Sequence, residues 1–104
     1  MRVVRGEIWQ IDLGMVAKPR PALILSVPAG DTERALVTYV PRTTSLRGTQ
    51  YEVPHKGRGF DDGAFDAQGL GSVPHAKLMR RIGVLDTHTL TEVEGAVRSW
   101  LGLG

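Results

Sequence analysis

Three histidines and one adjacent pair of carboxylates are the residues of this sequence best suited to acid–base or metal chemistry. His55, His75 and His88 are spread irregularly, and Asp61-Asp62 lies in a glycine-rich stretch. Zinc sites use cysteine, histidine or carboxylate ligands at regular spacings, so this spacing argues against a metal centre. The sequence has no cysteine, which excludes disulfides and thiolate metal sites. Two histidines could still act as general base and general acid, although surface positions are the default expectation for all three.

Basic residues concentrate in the first sixty positions. Residues 1–60 hold nine Lys and Arg against five Asp and Glu, a net charge of +4, whereas residues 61–104 hold four against six, a net charge of −2. This distribution is compatible with an RNA-binding face and equally with solvated loops. Arginine suits phosphate best, because its planar fork can hold two oxygens at once. The basic candidates are Lys18, Arg20, Arg42, Arg47, Lys56 and Arg58.

Aromatic side chains offer a second way to hold unpaired RNA, whose bases stack on aromatic faces. Phe60 lies in the glycine-rich stretch, where a surface loop is the default, and is the best candidate for stacking. Trp9 and Tyr39 fall in predicted strands and Trp100 in a predicted helix, so we expect these three to pack in the interior.

Short strands must position these side chains. Residues 7–13 alternate polar and apolar, which predicts a half-buried strand with Ile8 on one face and Trp9 on the other. The apolar run 22–27 predicts a central strand buried on both faces. Residues 35–40 predict a third strand that ends at Pro41, and residues 50–53 a fourth that ends at Pro54. Residues 65–73 predict one more strand, and residues 77–85 a strand or a helical turn leading into one.

A single amphipathic helix closes the chain. Asp86 is the predicted N-cap, Thr89 with Glu92 suggests a capping box, and Gly102 is the predicted stop. The apolar stripe consists of Leu90, Val93, Val97, Trp100 and Leu101. We therefore predict one domain over residues 1–104 that is mainly β, a small antiparallel barrel or strongly curled sheet with the C-terminal amphipathic helix packed on it. No leader or run of about 18 apolar residues is evident, so we expect a cytoplasmic protein.

Four segments, in order, resemble the MazF/PemK family of toxin endoribonucleases. They are Arg5–Trp9 with Asp12-Leu13, Arg20–Ser26, Val40–Ser45, and Ile82–Leu85 followed by a helix that ends in Trp100–Leu103. The resemblance covers nearly the whole chain. Two departures concern segments that touch substrate in relatives and therefore bear on base specificity. The loop before Arg20 is shorter and lacks a Gly-Ser-Glu element, and Asp66-Ala67-Gln68 has one residue more than the Asp-Gln pair of many relatives.

The resemblance implies an SH3-like barrel, a homodimer, and metal-independent cleavage of single-stranded RNA to a 2′,3′-cyclic phosphate and a 5′-hydroxyl. It implies no cofactor, and a cognate antitoxin with an acidic, partly disordered segment. The family's essential arginine falls on Arg20 and its essential threonine on Thr43. Taken alone, these two would be a solvated loop arginine and a turn residue. The expected RNA contacts are Lys18, Arg42, Ser45, Arg47, Phe60 and Gln68.

Two other functions fit the same fold. One is a non-catalytic toxin that poisons DNA gyrase through its C-terminal helix, as CcdB relatives do. The other is a plain SH3-like module that binds a peptide or RNA without forming products. The presence of both Arg20 and Thr43 favours the ribonuclease.

Overall fold

The structure, a computed structural model, describes residues 2–14 and 18–104. Seven strands and then one helix are formed in this part of the chain, one strand more than the six that the sequence predicts. Two 3-10 turns, Ala67–Gly69 and His75–Lys77, follow β5 and β6. The elements are β1 (Glu7–Ile11), β2 (Arg20–Ile24), β3 (Leu36–Thr43), β4 (Glu52–His55), β5 (Gly63–Asp66), β6 (Gly71–Pro74), β7 (Leu78–Val84) and α1 (Thr87–Leu101).

Strand β3 organises the sheet, because it pairs with three others. The strand order is β4-β5-β3-β2-β1-β7, and β6 lies beside the first half of β3 while β5 lies beside its end. All pairings are antiparallel, which confirms the predicted sheet. Within the described residues no ladder joins β4 to β7, so the predicted barrel and strong curl are not confirmed.

The centre of the sheet is buried on both faces. In β2, Leu23 packs on the helix side with Phe65 and Val93, whereas Ala22 and Ile24 pack on the opposite side. The predicted burial on both faces is therefore confirmed for Ala22–Ile24, whereas the predicted strand end is wrong, because β2 ends at Ile24 and Val27 is 71% exposed. The prediction of a half-buried β1 is wrong, because Trp9 and Ile11 are buried on one face of the strand and Ile8 is buried on the helix side.

Helix α1 begins and ends where its capping residues indicate. The Asp86 side chain accepts a hydrogen bond from the Thr89 N–H (2.9 Å), and Gly102 adopts a left-handed φ of 70°. The predicted capping box of Thr89 with Glu92 is therefore wrong, because Thr89 is the residue whose N–H bonds to the N-cap Asp86. Of the predicted apolar stripe, Val93 and Val97 are buried while Trp100 is 43% exposed. No helix in the described ranges is long and apolar enough to cross a membrane.

Strand β3 continues through Pro41 to Thr43, beyond the predicted end. On the edge of β3 that faces away from β2, Leu36–Tyr39 pair with β6 and Arg42-Thr43 pair with β5. Pro41 lies between these two partner strands. The missing proline N–H therefore interrupts neither ladder. Residues 65–73, predicted as one strand, form the end of β5, a 3-10 turn and β6. The Asp66 side chain caps this turn by accepting the Gln68 N–H at 3.1 Å.

A buried arginine joins β3 to the loop of residues 56–62. Arg42 is 5% exposed and His55 is 8% exposed. The Arg42 guanidinium donates from Nε to His55 Nδ1 (2.9 Å), and from Nη2 to the His55 carbonyl (2.8 Å) and the Asp61 carbonyl. The expectation of a surface position is wrong for His55, because the alternation of β4 turns it inward together with Val53.

His55 is held in its neutral form. Burial, and then the nearby Arg42 charge, lower the pKa of His55, while Asp86 acts weakly in the opposite direction. The geometry agrees, because Nδ1 can accept the Arg42 N–H only when it carries no proton.

We predict that the protein loses stability as the pH falls below about 6.5, the pKa of histidine in an unfolded chain. The folded-state pKa of His55 lies lower, so the unfolded state takes up the proton first and the free energy of unfolding decreases with falling pH. His55→Asn keeps an acceptor and cannot be protonated, so the stability of this variant should depend much less on pH.

Urea denaturation between pH 5 and 7.5 measures this dependence. His88→Asn is the matched control, because the His88 side chain is 86% exposed. Parallel stability curves for His55→Asn and the unsubstituted protein would contradict the prediction.

Candidate active-site groove

Arg20 and Thr43 lie at adjacent strand ends. Arg20 is the first residue of β2 and Thr43 the last of β3. These strands pair Ala22 with Pro41, and continuing that antiparallel register by two residues places Arg20 opposite Thr43. Cross-strand neighbours share a face of the sheet, so both side chains lie on the same side. Their backbones belong to strands rather than to the loops that the sequence suggested.

Both residues line one open depression of about 500 Å³, which we call the Arg20 groove. It gathers six of the eight residues proposed from the sequence. Arg47 lines an adjoining pocket of about 260 Å³ that shares Arg20, Thr43 and Ser45 with the groove. Gln68 is exposed on the 3-10 turn and lines neither of them. The groove is lined by Lys18, Arg20, Pro21, Arg42, Thr43, Thr44, Ser45, Gly59, Phe60 and Asp61.

Arg20 presents its charge to solvent from a fixed backbone. Its backbone pairs with Ile11, and the Gln10 side chain donates to the preceding carbonyl, that of Pro19, at 2.9 Å. The ion pairs found in the described ranges are Arg5–Glu94, Arg81–Glu7 and His88–Glu92. The Arg20 guanidinium is in none of them and is thus available to bind an anion.

Thr43 offers a hydroxyl hydrogen to the groove. Its Oγ1 accepts the Ser45 N–H at 3.0 Å, which fixes the oxygen. The contact from Oγ1 to the Ser45 carbonyl is 3.5 Å, which is long for an O–H donor. The hydroxyl can therefore donate to a ligand oxygen instead.

Arg42 forms the floor of the groove. It alternates with Thr43 along β3, so its side chain turns to the helix side while Thr43 faces the groove. Three of its hydrogen bonds are made within the protein. Burial lowers the pKa of Arg42, and the nearby Asp61 and Asp62 oppose that effect. Its part in the groove is therefore to position neighbours more than to hold a ligand by its donors.

The Phe60 ring packs against Arg42 and His55. The Arg42 Cζ lies 5.0 Å from the centre of the Phe60 ring, a cation–π contact, and the His55 ring meets it edge-on at 5.3 Å. The half-buried ring lines the Arg20 groove and also a second depression beyond it. Arg58 and Arg80 line that second depression. Arg80, which was not proposed from the sequence, comes to this place because β7 pairs Arg80 with Gln10.

The histidines do not converge on the groove. His55 lies beneath its floor, and His75 lies at the far end of β3, where its N–H donates to the Ala35 carbonyl. The seven residues from Leu36 to Arg42 extend about 20 Å at ~3.3 Å per residue, so these histidines cannot act on one phosphate. Within residues 2–14 and 18–104, no three His, Asp or Glu side chains form a cluster that could hold a metal ion.

The geometry supports one kind of chemistry. A solvent-facing guanidinium and an oriented hydroxyl point to the same space, with the amine of Lys18 at its edge. These donors match an anion whose negative charge is spread over several oxygens, such as a phosphodiester.

Known proteins resemble this chain in both sequence and fold. The sequence profile of the PemK-like, MazF-like toxins of type II toxin–antitoxin systems matches residues 4–101. A mycobacterial endoribonuclease, solved in complex with its cognate antitoxin, superposes with a TM-score of 0.85 at 25% identity, covering 99% of this chain and 98% of that one. The Mycobacterium tuberculosis toxin MazF-mt6 superposes with a TM-score of 0.81 at 27% identity, covering 94% and 98%.

A MazE–MazF structure from Deinococcus radiodurans has a TM-score of 0.80 at 23% identity, with 98% of both chains covered, and shows the shared fold. The profile match extends over nearly the whole sequence and includes both Arg20 and Thr43. The chain therefore belongs to the family of PemK-like, MazF-like toxins of type II toxin–antitoxin systems.

Proposed function

We propose that this chain is a toxin that cleaves single-stranded RNA, including mRNA, at defined sequences and without a metal ion. The observation that carries the proposal is the convergence of Arg20 and Thr43 on one groove. The mycobacterial relative described as an endoribonuclease supports RNA cleavage as the activity. The proposal includes one domain over residues 1–104, closure of the sheet into an SH3-like barrel, and a cytoplasmic location.

The proposed reaction uses the RNA's own 2′-hydroxyl. The 2′-hydroxyl gives its proton to solvent water as its oxygen attacks the adjacent phosphorus. The bond from phosphorus to the 5′-oxygen breaks and the departing oxygen takes a proton from water, so that the products are a 2′,3′-cyclic phosphate and a 5′-hydroxyl. Negative charge builds up on the phosphoryl oxygens during the attack. Arg20 and the Thr43 hydroxyl donate to these oxygens and so stabilise the transition state. Arginine is a poor proton carrier because its guanidinium stays charged at neutral pH, so the proposed role of Arg20 is electrostatic.

We propose two protein partners, a second copy of this chain and a cognate antitoxin. The mycobacterial relative was solved with its antitoxin, which supports the second partner. The Arg20 groove is cationic, so an acidic and partly disordered antitoxin segment could occupy it and order on binding.

Arg20→Lys should reduce turnover by on the order of 10²-fold or more, the scale for loss of one preorganised transition-state donor. Lysine keeps the charge and loses the bidentate fork, so RNA binding should weaken far less. Thr43→Val removes the hydroxyl at nearly constant shape and should also lower turnover. Single-turnover cleavage of one RNA measures both effects.

Arg34→Lys and Thr91→Val are the matched controls, because both residues are exposed and outside the Arg20 groove. Circular dichroism and RNA binding establish that each variant is folded. Normal cleavage by both site variants would show that Arg20 and Thr43 are not the catalytic pair.

Cleavage should survive excess EDTA, because the proposed transition-state donors are side chains. The measurement is digestion of a long RNA by the purified protein with and without EDTA, with the 5′ ends mapped. Loss of cleavage in EDTA and its rescue by magnesium would overturn the mechanism. RNA binding without cleavage products would instead identify the protein as the binding module. Inhibition of purified gyrase would identify it as the gyrase poison.

We expect a homodimer in solution. Eight large apolar side chains of the described residues remain exposed in one chain, among them Val27, Val84 and Leu103 at more than 60%, and self-association would cover part of this surface. Light scattering at tens of micromolar should give about twice the chain mass of 11.3 kDa. A mass of one chain at this concentration would contradict the expectation.

A further inference from the structure

From the pocket that adjoins the Arg20 groove, we infer that Asp66 reads a guanine base next to the scissile phosphate. This inference rests on the proposed ribonuclease function and adds a base that the enzyme selects. The pocket, of about 260 Å³, is here called the Asp66 pocket, and it is lined by Arg20, Pro41, Thr43, Ser45, Arg47, Glu52 and Asp66.

Strand register brings Asp66 to the catalytic face. Thr43 pairs with Ala64, and side chains two residues apart on a strand share a face, so Asp66 lies on the same side as Thr43. It is the diagonal neighbour of Thr43, a separation of ~7–8 Å between Cα atoms. Arg20 lies across from Thr43 on the other side, so the three side chains form a row across β2, β3 and β5.

The Asp66 carboxylate keeps capacity to accept hydrogen bonds. In the described part of the chain it accepts one, from the Gln68 N–H to Oδ1 at 3.1 Å. Neither Arg20 nor Arg47 forms an ion pair with it there. Its cross-strand partner Glu52 is different, since the backbone N–H groups of residues 47–49 donate to the Glu52 oxygens.

This difference assigns the two carboxylates different tasks. Glu52 holds the loop of residues 47–49, whereas Asp66 faces the pocket with Oδ2 uncommitted. Two carboxylates directly opposite on antiparallel strands repel each other, so the arrangement favours a ligand that brings N–H donors to Asp66. A nucleobase next to a phosphate held by Arg20 is such a ligand.

Among the four bases, guanine fits a pure acceptor best. A carboxylate accepts hydrogen bonds and donates none. The Watson–Crick edge of guanine presents N1–H and the N2 amino group side by side, which can pair with both carboxylate oxygens. Adenine and cytosine present one amino group beside an acceptor nitrogen, and uracil presents one N–H between two carbonyl oxygens. Those acceptors would face the carboxylate and be repelled.

The experiment is cleavage of a random-sequence RNA by the protein and by Asp66→Asn, with the 5′ ends mapped. The unsubstituted protein should cut where guanine occupies one fixed position beside the cleaved bond. Asn keeps the Oδ1 acceptor for the Gln68 N–H and replaces the other oxygen with a donor. The variant should therefore stay folded and keep cleaving. Its preference for guanine over the other bases at that position should fall by on the order of 10-fold or more.

A guanine-to-inosine replacement at that position isolates the contact, because inosine lacks only the N2 amino group. Inosine should slow the unsubstituted protein by about 10-fold, the scale for loss of one hydrogen bond to a charged group, and should leave the rate of Asp66→Asn nearly unchanged. Asp31→Asn is the matched control, on an exposed residue that does not line the pocket, and should behave like the unsubstituted protein.

Three results would overturn the inference. The first is a mapped motif without guanine beside the cut. The second is an inosine penalty that Asp66→Asn retains. The third is an equal loss of rate on every RNA in Asp66→Asn, which would mean that Asp66 orients Arg20. No cleavage of any RNA by the unsubstituted protein would overturn the proposed function together with this inference, whereas each of the three results removes the inference alone.

Discussion

The alternation of Arg42 and Thr43 at the end of β3 is the constraint on which the groove depends. Two consecutive strand residues must point to opposite faces, so one turns beneath the sheet and the other into the groove. Arg42 is then committed to hydrogen bonds with His55 and the Asp61 carbonyl. Those bonds anchor the loop of residues 56–62, which supplies Gly59, Phe60 and Asp61 to the groove wall. Thr43 thus faces the groove from one side of β3, while Arg42 holds the loop that forms the groove wall from the other side.

Burying a guanidinium here requires that its donors be satisfied, because an unpaired buried charge is costly. The two carbonyls and the His55 ring nitrogen meet that requirement, and Phe60 covers the plane of the charge. The backbone must also come close. A Cβ atom at Gly63 would lie 2.5 Å from the Thr43 carbonyl and 2.8 Å from Arg42 Nη1, so only glycine fits beside the pair. Arg42, His55 and Gly63 therefore form one unit that sets the position of Thr43.

Patterns within one strand or helix predicted much of this fold. The alternation in β1, the apolar run of β2 and the caps of α1 each depend on neighbours in sequence, and each element is found. Apart from the capping box of Thr89 with Glu92, what failed depends on pairing between distant segments. Pro41 is accommodated because β3 changes partner there, and His55 is buried because β4 lies on β5. Likewise, the resemblance located Arg20 and Thr43 and singled out the segment Asp66–Gln68, whereas only the register of β5 against β3 and β4 places Asp66 on the same face as Thr43.

The two proposed donors of the active site are ordered to different degrees, and this difference bears on how catalysis arises. Thr43 is β-branched and its oxygen is fixed by the Ser45 N–H, so little freedom is lost when it donates. Arg20 has an anchored backbone and an exposed side chain, and ordering an arginine can cost about 2 kcal/mol. The bound phosphate must supply that ordering. A base held by Asp66 beside the phosphate would add binding energy where it fixes the RNA against Arg20, so base selection and transition-state stabilisation would be coupled in one row of side chains.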